Sequence, residues 1–200
     1  ANIDLSIVAT TTDVRCEIVK RLANHGTKVI LCEKPMASSV EECDQMIRVC
    51  EEQNTRLAVN HQMRFMEAYT TIKSELETGD YGDLTSMNVI AGNIGIAMNG
   101  SHYFEAFKWL TGSEIQSASA WFSGPPMQSP RGKRFFDQAG EARILSTGGH
   151  RLILNCGADQ GHGMTVTYAF NYGHIFIDEL AGVYVSSCRE KEFHCLPFTR

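Results

Sequence analysis

The segment best equipped for chemistry is Cys32-Glu33-Lys34-Pro35-Met36. It follows Lys28-Val29-Ile30-Leu31-Cys32, an apolar run that reads as a buried strand. A lysine at the carboxyl end of a parallel strand points into the crevice where open α/β sheets bind ligands. Proline fixes the backbone there and removes a competing donor. Loss of solvation lowers the pKa of such a lysine and suits it to proton transfer. By spacing alone, a solvated lysine after a strand explains the segment equally well. Metal chemistry is not expected. His150, Asp159, His162 and His174 share a region but no recognised ligand spacing, and they read as strand and turn residues. The seven cysteines are odd in number and form no C-x-x-C pair. Cys43 and Cys50 fall on one helix face as small core residues. A reduced, cytoplasmic protein is expected.

The elements that must position Lys34 can be read on either side of it. Ile3-Asp4-Leu5-Ser6-Ile7-Val8-Ala9 reads as a strand and Thr10-Thr11-Thr12 as a turn. Asp13 is the expected N-cap of a helix that stops at Gly26, with Val14, Ile18 and Leu22 facing inward. Ser39 and Glu42 form a capping box for a second helix, whose inner face reads Val40, Cys43, Ile47 and Cys50. Leu57-Ala58-Val59 is a third strand. Strand, helix, strand, helix, strand implies a parallel sheet with crossover helices, covered on both faces. Three strands make a poor free-standing sheet, so the chain is expected to begin inside a domain.

The pattern then changes. Helices are expected over 67–77 and 102–110, closed by Gly79 and Gly112, with Tyr103, Phe107 and Leu110 on one side of the second. Strands are expected over 84–91 and 115–122. Gly124-Pro125-Pro126 opens a long polar loop holding the cluster Arg131, Lys133 and Arg134, read as a solvated loop. Strands 151–156, 164–170, 174–180 and 183–188 follow; Met164, Val166, Tyr168 and Phe170 alternate with polar or small residues, which predicts an antiparallel meander. The fold class is α/β: the C-terminal part of a Rossmann-type parallel sheet over 1–63, then an α+β domain with a largely antiparallel sheet over 64–200. Val166, Tyr168, Ile175, Ile177, Val183 and Val185 supply apolar material for a homo-oligomer through that sheet, or for the chain's own core.

Val29-Ile30-Leu31-Cys32-Glu33-Lys34-Pro35-Met36-Ala37 resembles the E-K-P signature of the Gfo/Idh/MocA (glucose–fructose oxidoreductase, inositol dehydrogenase, rhizopine catabolism) family. Asp4 to Thr12 resembles the family strand beside the nicotinamide ribose, and Val59 to Phe65 its crossing into the second domain. Glu77 to Leu84, Asn99 to Glu105 and Trp109 to Gly112 resemble later family segments. The resemblance is dense from Ile3 to Gly112. It implies bound NAD or NADP and hydride transfer at a sugar or polyol hydroxyl. It implies Lys34 and His102 as catalytic, Thr10, Thr11, Glu33, Lys34 and Asn60 as cofactor-lining, and Arg64, Asn99 and Tyr103 as substrate contacts. Core packing explains Tyr103 equally well, and a helix cap explains Asn99 equally well. Two departures stand out. Met98 occupies the position of a common family aspartate. No G-x-G-x-x-G turn occurs: Gly92-Asn93-Ile94-Gly95 has the wrong spacing, and Gly161-His162-Gly163 lacks a third glycine. The implied chain is a fragment, inactive by itself, and its last residues, Leu196-Pro197-Phe198-Thr199-Arg200, bring no closing element. An NAD-using glycosidase of the same fold and a non-catalytic sugar-binding module are the alternatives.

Composition limits partners. The 200 residues carry 18 basic and 23 acidic side chains, a net charge of −5, and are 43% hydrophobic. A weakly acidic chain has no electrostatic reason to bind nucleic acid. No apolar run is long enough for a membrane span, and no leader-like segment opens the sequence.

Overall fold

The structure, a computed structural model, describes residues 3–124, 126–128, 132–133 and 135–196. Arg131 and Arg134 of the basic cluster, Pro125 of the loop opening, and 197–200 of the tail lie outside the described residues. The chain divides into two compact units, Ala1–Gln62 and Met63–Arg200.

The first unit is a three-stranded parallel sheet in sequence order: β1 (Leu5–Val8), β2 (Val29–Glu33) and β3 (Arg56–Asn60). Helices α1 (Thr12–Asn24) and α2 (Val40–Glu52) form the crossovers. Both helices share one core with the sheet: Cys16, Val19 and Ala23 from α1, Met46 and Cys50 from α2, and Val8, Ile30 and Cys32 from the strands. This corrects the expected helix faces. Val14 and Val40 are 43% and 73% exposed. Cys16, Val19, Ala23, Met46 and Cys50 lie inward, with Ile18 and Leu22 partly buried beside them, while Val14, Val40 and Ile47 are turned out. It also corrects the expected double cover, because within this unit the opposite face is open, with Leu5 55% and Ile7 68% exposed. The N-cap of α1 is Thr11, with Asp13 already in the first turn. At α2 the Ser39 hydroxyl accepts the Glu42 amide, while the Glu42 carboxylate accepts from Ser38 rather than from Ser39.

The second unit is built on a seven-stranded sheet. Its strands are β4 (Leu84–Ala91), β5 (Ile115–Phe122), β8 (Gly140–Ser146), β9 (Arg151–Cys156), β10 (Thr165–Phe170), β11 (Gly173–Asp178) and β12 (Val183–Cys188). The small hairpin of β6 (Met127–Gln128) and β7 (Phe136–Asp137) lies between β5 and β8 in the chain. The spatial order is β12-β11-β10-β4-β9-β8-β5. The expected meander holds only for β10, β11 and β12. Strand β4 lies between β9 and β10, parallel to β9 and antiparallel to β10. Met87, Val89 and Ala91 are fully buried on its inner face, while Ile90 on the other face is 49% exposed.

One face of this sheet is covered by α3 (Glu67–Thr78) and α4 (Gly100–Thr111). Tyr69 and Ile72 from α3 and Tyr103, Ala106, Phe107 and Leu110 from α4 pack on Met87, Leu152, Leu154, Val166, Tyr168 and Ile175. Val166, Tyr168, Ile175 and Ile177 therefore belong to the chain's own core, not to an exposed face. Both helices end at a glycine in the left-handed region, Gly79 and Gly112.

Candidate active site

The first cluster forms at the carboxyl ends of the parallel strands. Residues Glu33 and Asn60 are register partners at the ends of β2 and β3. The Asn60 amide donates to the Glu33 carboxylate at 2.7 Å. Lys34 follows at the bend after β2, half-buried, with a cis peptide to Pro35. Thr10 and Thr11 occupy the equivalent bend after β1, and Thr11 stands at the N-cap position of α1 without a side-chain capping bond.

An arginine ties the two bends together. Arg15, on the first turns of α1, is fully buried, and its guanidinium donates to the carbonyls of Thr10 and Pro35. Thr10 and the segment carrying Lys34 are thus held by one rigid, charge-assisted fork. The adjacent Cys32 thiol is pushed up by burial, so it is no rival nucleophile.

These residues suit one part of a dinucleotide. Hydroxyl, carboxylate, ammonium and amide groups at strand ends offer the donors and acceptors that a ribose and a carboxamide need. The Thr10 hydroxyl oxygen is buried with no hydrogen bond among the described residues, which fits a polar group awaiting a ligand. No G-x-G-x-x-G turn occurs in the sequence.

The second cluster surrounds α4. A π-helical turn, Gly95–Asn99, leads into it. Asn99 stands at the N-cap position, yet its side chain does not cap the helix; it donates back to the Ile94 carbonyl at 3.0 Å. His102 is 5% exposed, and Tyr103 1%. The Tyr103 hydroxyl turns into the core and donates to Glu179 Oε2 at 3.0 Å. The Tyr69 hydroxyl bonds the other oxygen, Glu179 Oε1. Burial and the Glu179 carboxylate raise both phenols well above their ordinary value. Arg64 pairs with Glu105 of α4 and lies 5.9 Å from the Trp109 ring centre.

Three residues in these clusters were not singled out from sequence. Arg15 recurs with Val19 and Ala23 at spacing four, so a charge on an apolar stripe was its signal. Glu179 continues the inward parity of Ile175 and Ile177, a carboxylate where another apolar residue would be expected. Asp137, which contacts the turn before α4, lies in a polar loop and carried no signal.

Comparison with known proteins bears on the first cluster most directly. The family described as the Gfo/Idh/MocA oxidoreductase family, NAD-binding Rossmann fold, matches residues 1–61. The chain is 35% identical over 81 residues to 2,7-anhydro-N-acetylneuraminate hydratase of Mediterraneibacter gnavus, covering 40% of this chain and 21% of that one. It is 27% identical over 147 residues to the rhizopine catabolism protein MocA of Rhizobium meliloti, covering 64% and 46%. Its fold matches the WlbA dehydrogenase of Bordetella pertussis, solved with NADH and UDP-GlcNAcA. The TM-score there is 0.72 at 21% identity, covering 88% of this chain and 56% of that one. The chain thus spans roughly half or less of these relatives.

Proposed function

We propose, from the premise that the chain belongs to the NAD-binding Gfo/Idh/MocA oxidoreductase family, that the whole protein moves a hydride between a nicotinamide cofactor and a sugar or polyol hydroxyl. The observation that carries the reading is the convergence at three parallel strand ends. Thr10, the bonded pair Glu33 and Asn60, and Lys34 gather there, with both bends fixed by Arg15.

A bound nicotinamide would supply the hydride acceptor. Thr10, Thr11, Glu33 and Asn60 line the cofactor. Lys34 takes the proton that an alcohol releases on oxidation. That role requires the lysine to be neutral when the alcohol is oxidised. His102 orients the hydroxyl or relays the proton, as an imidazole can serve as either donor or acceptor. Arg64 and Asn99 contact substrate. The Tyr103 hydroxyl is engaged by Glu179 in the core, so core packing accounts for this residue without a substrate contact. Residues 1–63 act as the dinucleotide-binding part and 64–200 as the substrate and assembly part.

The test is steady-state kinetics of the whole protein on a panel of sugars and polyols, read as NADH formation. General acid–base assistance contributes about 10²–10⁴-fold, so Lys34→Ala should lower kcat by that factor with an unchanged melting temperature. A folded variant with wild-type kcat would remove the lysine from the mechanism. A second reading draws on the likeness to the hydratase, a protein named for a reaction other than dehydrogenation. There the cofactor would be reduced and reoxidised within one turnover, as in an NAD-using glycosidase. Product formation that needs NAD yet accumulates no NADH would favour it.

Assembly is part of the proposal. The outer face of the seven-stranded sheet carries Trp121, Ile90 and Val185, which are 57%, 49% and 50% exposed. A second copy covering this face would bury them. A monomeric mass for the whole protein in light scattering would count against it.

A further inference from the structure

The chain between β5 and β8 makes a detour whose return strand enters the second cluster. Strand β7 ends at Asp137, which is 7% exposed. Its carboxylate accepts three backbone amides: Ala97 to Oδ1 at 3.0 Å, Met98 to Oδ2 at 2.7 Å, and its neighbour Gln138 to Oδ1 at 2.7 Å. Two of these donors belong to the π-helical turn that launches α4. A further backbone bond, from the Ile96 amide to the Gln138 carbonyl at 3.2 Å, fastens the same turn.

The turn is shaped to receive the carboxylate. Gly95 has a φ of 75°, and a side chain there would lie 2.2 Å from Asp137 Oδ2. The detour is itself anchored. Met127 of β6 and Ala139 are buried with Ala91 and Cys156, at the ends of β4 and β9, and Ile94 and Ile96 pack on the same small cluster. The detour therefore has its own apolar footing beside the turn, and Asp137 is placed by packing as well as by hydrogen bonds.

We infer that Asp137 is a positioning residue: it clamps the Gly95–Asn99 turn and thereby sets where α4 presents Asn99 and His102. The catalytic consequence rests on the function proposed above; the clamp itself does not. A carboxylate accepting two amides of one turn fixes that turn's backbone in one conformation, and His102 follows on the first turn of the helix. Unclamping lets the turn relax and moves the imidazole without touching it. The expected loss is therefore in turnover and not in cofactor affinity.

The test compares the whole wild-type protein with Asp137→Asn and Asp137→Ala. The asparagine variant keeps one oxygen for Ala97 and Gln138 but sets an amide group against the Met98 amide. Hydrogen exchange should quicken at Met98 alone in Asp137→Asn, and at Ala97 and Met98 in Asp137→Ala. The His102 imidazole resonance should shift in both. On a substrate that the wild type oxidises, kcat should fall by about 10²-fold, as for an ångström-scale misplacement, with KM for NAD unchanged. Should Asp137→Ala fail to fold, the nearly isosteric asparagine variant decides. Wild-type protection at Met98 and an unmoved His102 resonance in folded Asp137→Asn would overturn the clamp. Absence of any dehydrogenation by the wild type would instead overturn the proposed function, while the exchange and resonance data still judge the clamp.

Discussion

The two units hold their functional side chains by different means. In the first, candidates and support sit close together in sequence. Thr10, Arg15, Glu33, Lys34 and Asn60 fall within about fifty residues, and short bends after parallel strands bring them to one edge. In the second, the supports of α4 are remote. Glu179 lies 76 residues beyond Tyr103 and 110 beyond Tyr69, and Asp137 lies 39 beyond Met98. A parallel sheet gathers strand ends by its topology alone. A helix laid on a mixed sheet needs carboxylates delivered from elsewhere to hold it in register.

That contrast can be broken by substitution in the whole protein. The largest effect is expected at Met46, fully buried between α2 and the small sheet. Met46→Ala should cost about 2–5 kcal/mol in a denaturant titration. A loss under about 1 kcal/mol would mean that the true inner face of α2 is the Val40–Ile47 side. Next is Arg15→Leu. It removes two charge-assisted bonds and leaves two carbonyls unsatisfied, so about 3 kcal/mol is expected. Arg15→Lys should recover only part, because a compact ammonium lacks the planar fork whose separate nitrogens reach the two carbonyls.

The phenols of the second unit give a smaller, pH-dependent effect. Burial, with Glu179, raises Tyr69 and Tyr103 in the folded state, whereas the unfolded chain titrates near about 10. Their contribution is therefore complete below about pH 10 and is lost as the pH rises beyond it, because the unfolded state releases protons first. The melting temperature of the wild type should fall above that pH. Tyr103→Phe should show a shallower fall, and at neutral pH should cost about 1.5–3 kcal/mol, the worth of one bond to a charged group. An unchanged alkaline slope would place Tyr103 outside the linkage. The smallest effect belongs to Val40→Ser, expected within about 0.5 kcal/mol of the wild type because the side chain is largely exposed.

The same contrast governs what could be read from sequence. The strand–helix alternation located the parallel sheet, since buried strands of this type are continuous apolar runs. Gly79 and Gly112 marked helix ends because each adopts the left-handed conformation a C-terminal turn needs. The helix faces were legible only in part: Ile18, Leu22 and Cys50 pack on the core as expected, but Val14, Val40 and Ile47 are exposed, and packing selected Cys16, Val19 and Met46 instead. The insertion of β4 between β9 and β10 was illegible. Nothing local to residues 84–91 encodes which later strand will pair with it. The place of Lys34 at a strand end was legible through the strand itself, but the contacts of Asp137 were not, because they form only once the chain has folded back.

The central place of β4 also bears on how the second unit is made. Val89 pairs with Leu154 on one side and Val166 on the other, 65 and 77 residues further along. During synthesis β4 emerges long before either neighbour and waits as an apolar strand with both edges open. Such edges are templates for intermolecular pairing, and pairing across long chain separations is slow. The middle of the large sheet cannot close until β10 has left the ribosome, so a nascent chain stalled between β5 and β10 should be the species most in need of a chaperone.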